Sequence, residues 1–182
     1  ALVYVRFPKR DWVFALLLIA LMVPEEVVIV PNYLTIAQWG LVNTYAGIVL
    51  PGASIAFGTF LLRQYFRTIP VDLTDAARVD GAGHIRAMLS IVVPIAAPAV
   101  ATTAMLSFVA KWNEDLWPLI VTTTQEFRTL PIGLRWLLDQ EGNTEWGVVM
   151  AATLFVVAPV IVVFLYAQRF LVSGIAAGAV KG

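Results

Sequence analysis

The chain has 182 residues, of which 60% are hydrophobic and 13% charged, and its mean hydropathy is +0.84. A soluble domain of this length exposes too much surface to hide that apolar fraction, so the composition points to an integral membrane protein. The 12 basic and 12 acidic side chains cancel, which removes the basic face a nucleic-acid partner requires, and the lack of cysteine excludes disulfides, thiol catalysis and cysteine-ligated metals.

The chain opens at Ala1-Leu2-Val3-Tyr4-Val5, an apolar run without methionine and without the basic region of a signal peptide. It reads as the tail of an element, and the natural protein is expected to be longer at its N-terminus. Four segments then approach the roughly 20 apolar residues needed to cross a bilayer. They are 12–31, interrupted by Pro24-Glu25-Glu26, then 45–62, 88–110 and 148–167. The last two are nearly free of charge and are the clearest spans. Residues 1–11, 63–87 and 168–182 together hold nine lysines and arginines, against three in 111–146. That asymmetry places the first group in the cytoplasm, with the C-terminus, and makes 111–146 the external loop.

Prolines recur inside the apolar runs at Pro24, Pro51, Pro94, Pro98 and Pro159. Each removes a backbone donor, which suits a bundle that bends; prolines are also simply commoner in membrane helices than in soluble ones. Gly47, Gly52 and Ala56 permit close helix approach. Glu25 and Glu26 form the one acidic pair at membrane depth, and they either face a cavity or mark a re-entrant helix end. In the external loop, tryptophans at 112, 117, 136 and 146 suit an interfacial belt, and the acidic tip around Gly142-Asn143 projects outward.

Between the second and third spans lies a polar island, residues 70–87. Pro70 can start a helix, Asp72 and Asp75 favour its positive end, and Arg78 can pair with Asp75. Leu73, Ala76 and Ala77 share a face, and Gly81 offers a left-handed stop. The spacing predicts a short amphipathic helix over 70–80 whose small alanines admit a partner's surface, followed by a second helix entering the span at Met88. A solvated loop with one helical turn is the plainer alternative.

The run Asp75-Ala76-Ala77, Asp80-Gly81-Ala82, Met88, Ile91, Val93-Pro94 and Pro98 resembles the EAA motif of ABC importer permeases. It departs from that pattern at Asp75 for Glu, Met88 for Phe and Val93 for Leu, with the spacing intact. Phe60-Leu61-Leu62-Arg63-Gln64, Trp112-Asn113, Leu116-Trp117-Pro118-Leu119, Thr129-Leu130-Pro131, Met150-Ala151-Ala152, Gln168-Arg169 and Gly178-Ala179-Val180-Lys181-Gly182 are similar to the carbohydrate-type branch, relatives of the maltose permease subunits. The start through Pro8 is similar to the glycerol-3-phosphate and glycerophosphodiester type.

The resemblance implies an all-α polytopic bundle, the transmembrane domain of a type I importer in the bacterial inner membrane, with four of six spans present. It implies that Asp75, Ala76, Ala77, Asp80, Gly81 and Ala82 dock on an ATPase subunit, and that Val180, Lys181 and Gly182 reach toward it. Gln140, Glu141, Gly142, Asn143, Thr144 and Glu145 would form a scoop loop entering an extracytoplasmic substrate-binding protein. Trp112, Asn113 and Trp117 would brace the outer end of the pathway. The implied partners are a second permease subunit, as a heterodimer, and an ATPase dimer. No Gly-x-x-x-x-Gly-Lys-Ser/Thr phosphate loop occurs, so no cofactor is expected in this chain, and ATP with its magnesium belongs to the ATPase.

Two other classes compete. A membrane-embedded enzyme needs a nucleophile with a base, or a metal cluster, yet His84 is the only histidine and falls in the cytoplasmic connector. An ion-coupled carrier needs a titratable relay, which the third and fourth spans lack. Tyr45, Phe57, Thr102, Thr103 and Ser107 offer stacking and hydroxyl contacts but no cation within the spans, so cargo choice is expected to rest largely with the partners.

Overall fold

The computed structural model describes residues 2–5, 7–53, 56–138 and 144–179, with side chains as far as 169. All regular structure among them is helical. The helices are α1 (Arg10–Leu21), α2 (Glu25–Gln38), α3 (Tyr45–Gly52), α4 (Ala56–Phe66), α5 (Val71–Val79), α6 (His84–Ile95), α7 (Ala97–Trp112), α8 (Leu116–Val121), α9 (Leu130–Leu138) and α10 (Trp146–Ala179). They divide between two compact units, one of Ala1–Met22, Ala56–Ser107 and Tyr166–Gly182, the other of Val23–Ile55 and Phe108–Leu165.

One segment, Trp146–Arg169, is long and apolar enough to cross a membrane by itself. The other three candidate spans pass only when α1 is taken with α2, α3 with α4, and α6 with α7, each pair as one bent span. The third span, where Pro94 and Pro98 suited bending, is broken: α6 and α7 meet at 81°. The cause lies in Pro94 and Pro98, four residues apart, neither of which can donate to the helical ladder. A π-helical stretch at Met88–Val92 precedes Pro94, and the axis turns at Ala96. The first span is likewise broken. Pro24 caps α2 with extended φ/ψ, so Glu25 and Glu26 form the first turn of a helix rather than an interruption within one. Carboxylates there face the positive end of the helix dipole.

In the first unit, Phe14 of α1 stacks on Phe60 of α4 at 6.2 Å between ring centroids. The guanidinium of Arg63 lies 3.8 Å from the Phe14 ring centroid and donates to Asp11 at 2.9 Å. A second cluster buries Ile69, Val92 and Ala96, with Tyr4, Tyr65, Phe66 and Val100 packed against it. The turn of the broken span is therefore the centre of a core, and Ala96 itself has no exposed surface.

In the second unit, Ile36, Trp117 and Val121 form the core, with Tyr33, Leu41, Val42 and Ile48 around it. Gly40, at φ +68°, ends α2 in a left-handed turn in which the Leu41 N–H reaches the Ile36 carbonyl at 3.0 Å. Thr44 then caps α3, its Oγ1 accepting from the Gly47 N–H at 3.0 Å. Gly47 has to be glycine, because a Cβ there would run into the Leu41 carbonyl oxygen. The close approach expected of Gly47 is to that loop carbonyl; at Gly52 the neighbour is the Lys111 side chain, 3.3 Å from where a Cβ would lie.

Candidate functional site

The polar island folds as α5, with Pro70 at its N-cap position. Its C-terminus shows why the sequence reads Ala76-Ala77 followed by Asp80-Gly81-Ala82. The Gly81 N–H bonds to the Arg78 carbonyl at 3.0 Å and the Ala82 N–H to the Ala77 carbonyl at 2.9 Å, the paired bonds of a Schellman stop. Gly81 sits at φ +77° with nothing within 4 Å of a built Cβ, so it is needed for its backbone angle and not for space. Asp75 and Arg78 pair at 2.9 Å on the exposed side.

The buried side of α5 is formed by Thr74 and Ala77. That corrects the expected face, since Leu73 and Ala76 are both exposed. The side away from Thr74 carries Asp72, Asp75, Ala76 and Val79, the last 87% exposed. The outward surface is thus short, partly acidic and low in relief. Beneath the island a cavity of about 200 Å³ is lined by Thr74, Arg78, Ala82, His84 and Met88 among others.

The island is tied to the broken span. Ile69, one residue before Pro70, is buried against Val92 and Ala96, on either side of Pro94. Tyr4 closes this cluster, its phenol donating to the Phe66 carbonyl at 2.8 Å. Partial burial pushes the Tyr4 phenol up from its ordinary value. The segment that enters α5 thus packs directly on the turn at Ala96.

The second unit carries the other candidate residues. Glu25 lies 3.7 Å from the Lys111 ammonium, which also holds Glu114 at 2.8 Å; Glu26 is exposed beside them in the first turn of α2. Asp115 pairs with Arg135 at 3.0 Å. The Trp112 indole donates to the Val156 carbonyl at 3.0 Å, in the turn of α10 that precedes Pro159. Asn113 folds back on its own helix, donating to the Val109 carbonyl at 2.9 Å. Trp117 departs from the expected interfacial belt: it is 6% exposed and its indole N–H is shared between the Gly47 and Ile48 carbonyls, at 3.2 Å each. Trp136 lies under the Arg128 guanidinium at 3.7 Å, and Trp146 is exposed.

Of the residues expected to form a scoop loop, Thr144 and Glu145 lead into α10, and the Glu145 carbonyl accepts from the Val148 N–H at 2.9 Å. Gln140, Glu141, Gly142 and Asn143 lie outside the described residues, as do Val180, Lys181 and Gly182. No group of three metal-ligating side chains exists among the described residues. Sequence reasoning missed Asn43, whose Oδ1 accepts from the Thr123 and Thr124 N–H groups at 2.6 and 3.1 Å. Asn43 holds a positive φ of 58°, a region asparagine tolerates, and no pattern in the sequence marks it.

The family model described as "Binding-protein-dependent transport system inner membrane component" matches residues 1–176. The chain is 40% identical over 176 residues to the sn-glycerol-3-phosphate transport system permease protein UgpE of Brucella abortus (strain 2308), covering 96% of this chain and 62% of that protein. The same identity is found with the UgpE proteins of Rhizobium meliloti (strain 1021), with the same coverage, and Yersinia pestis bv. Antiqua (strain Antiqua), 63% of which is covered. The chain thus spans about three fifths of the length of these relatives. Among solved structures, a bacterial ABC transporter involved in the import of the acidic polysaccharide alginate superposes with a TM-score of 0.78 at 26% identity, covering 92% of this chain and 64% of that one.

Proposed function

The chain belongs to the family of binding-protein-dependent transport system inner membrane components, and on that premise we propose that it is a permease subunit of an ATP-driven importer. The cargo is sn-glycerol-3-phosphate or a related glycerophosphodiester, by likeness to the UgpE relatives. The chain works in the inner membrane with a second permease subunit, an ATPase dimer and an extracytoplasmic substrate-binding protein, and its C-terminus is cytoplasmic. ATP and magnesium are bound and used by the ATPase; this chain performs no chemistry.

The observation that carries the reading is the joint between α5 and the broken span. Asp75, Ala76, Ala77, Asp80, Gly81 and Ala82 form the ATPase-facing end of the joint, and Ile69 packs on Val92 and Ala96 at the other. When the ATPase subunits close, α5 moves with them and the α6–α7 turn moves with α5. ATP biases the equilibrium because its affinity differs between the two states. Glu25, Glu26, Trp112, Asn113 and Trp117 belong to the outer part of the pathway, where Glu25 is held by Lys111. Gln140 to Glu145 serve as the scoop loop, and Val180, Lys181 and Gly182 contact the ATPase.

The test uses the complete transporter in proteoliposomes, with uptake of labelled glycerol-3-phosphate and ATP hydrolysis measured together. Gly81→Trp is expected to leave the subunits assembled while uptake per ATP hydrolysed falls at least tenfold. Uptake at the wild-type level in that variant would sink the coupling role.

A further inference from the structure

The coupling reading leaves one cavity of the first unit unused. It holds about 460 Å³ and is lined by Arg10, Arg63, Arg67 and Asp11, with Ile69 and Val71 on the side of α5. Three guanidinium groups thus face a single carboxylate. Asp11 accepts from Arg63 at 2.9 Å and lies 3.9 Å from Arg10. Arg10 donates to the Val3 carbonyl at 3.2 Å, and no side-chain partner is recorded for Arg67 among the described residues. The Arg63 side chain is only 9% exposed, is held against Phe14, and keeps its Nε without a hydrogen-bond partner. A buried donor on a charged group, left unpaired, is costly. Excess positive charge around a preformed recess is the arrangement that takes a phosphate, because guanidinium groups match its oxygens in geometry as well as charge.

We propose that this cavity binds a phosphate group supplied by the headgroup of an anionic phospholipid of the inner leaflet. The neighbouring surface favours a lipid over free phosphate. Val13, Leu17 and Leu21 follow Arg10 along α1 at helical spacing, and Val13 and Leu21 are each 42% exposed, an apolar track that an acyl chain can lie along. Basic recesses between spanning helices on the cytoplasmic side are suited to anionic headgroups. The placement on that side rests on the orientation in the proposed function. Because Ile69 and Val71 line the same cavity, its occupant abuts the entrance to the coupling helix.

The test reconstitutes the complete transporter in nanodiscs of phosphatidylcholine with or without photoreactive phosphatidylglycerol. After delipidation, native mass spectrometry counts retained lipid and peptide mapping locates the crosslink. The wild-type complex is expected to retain phosphatidylglycerol and to crosslink within α1 or α4. Arg67→Gln, an exposed change that leaves the fold intact, should reduce retention about fivefold, and Arg10→Gln with Arg67→Gln further. Equal retention in wild type and the double variant would overturn the proposal. Displacement of the crosslink by inorganic phosphate, with no lipid carried through delipidation, would overturn the lipid source and leave free phosphate as the occupant. Retention is read without ATP or cargo, so its failure is distinguishable from failure of the transport reading.

Discussion

The two units use glycine for opposite ends. Gly47 in the second unit is surrounded: a Cβ would strike the Leu41 carbonyl, and Trp117 shares its indole proton with the Gly47 and Ile48 carbonyls. Gly81 in the first unit has nothing within 4 Å of where a Cβ would lie, so its backbone angle alone calls for glycine. Around Gly47, backbone, indole and the Asn43 latch leave nothing for another molecule to complete. Around Gly81, the helix stop is satisfied internally while the outward face of α5 stays bare. The first arrangement suits a rigid support, and the second suits a surface that is to be met.

Five substitutions sharpen or break that contrast. Trp117→Ala should have the largest effect, lowering stability by about 3–5 kcal/mol through lost packing and two abandoned carbonyls, seen as a lower Tm of the purified complex. Gly47→Ala should cost about 1–3 kcal/mol by the same measurement, since the obstructing atom is backbone and cannot swing away. Gly81→Ala should cost about 1–2 kcal/mol from the left-handed angle alone, with Gly81→Asn milder because asparagine tolerates that region. If Ala at Gly81 proves as damaging to Tm as Ala at Gly47, the distinction between an angle and a crowded space fails. Arg78→Gln removes an exposed i,i+3 pair and should change Tm by an amount below about 0.5 kcal/mol, whatever it does to uptake.

Much of α5 was legible because its signals are local. A proline at the entry, an acid–base pair three residues apart and a glycine at the stop all act within two turns. What was misjudged was its inner face: Leu73, Ala76 and Ala77 satisfy helical spacing equally well, and only packing against the rest of the first unit selects Thr74 and Ala77. The prolines at 94 and 98 were visible, but the direction of the turn depends on Ala96 being drawn into the core beside Ile69. Trp117 resembled the other tryptophans of its loop, and nothing within that loop announced that α3 would enclose it. Arg63 read as one more cytoplasmic cation because its partner Asp11 lies 52 residues away in the sequence.

The buried turn at Ala96 also sets a limit on size. At 1.5 Å per residue, His84–Ile95 makes an arm of about 18 Å on one side of it, and Ala97–Trp112 makes one of about 24 Å on the other. The two arms meet at an alanine with no exposed surface, packed beside Ile69 and Val92, so the corner between them has no room for a larger side chain.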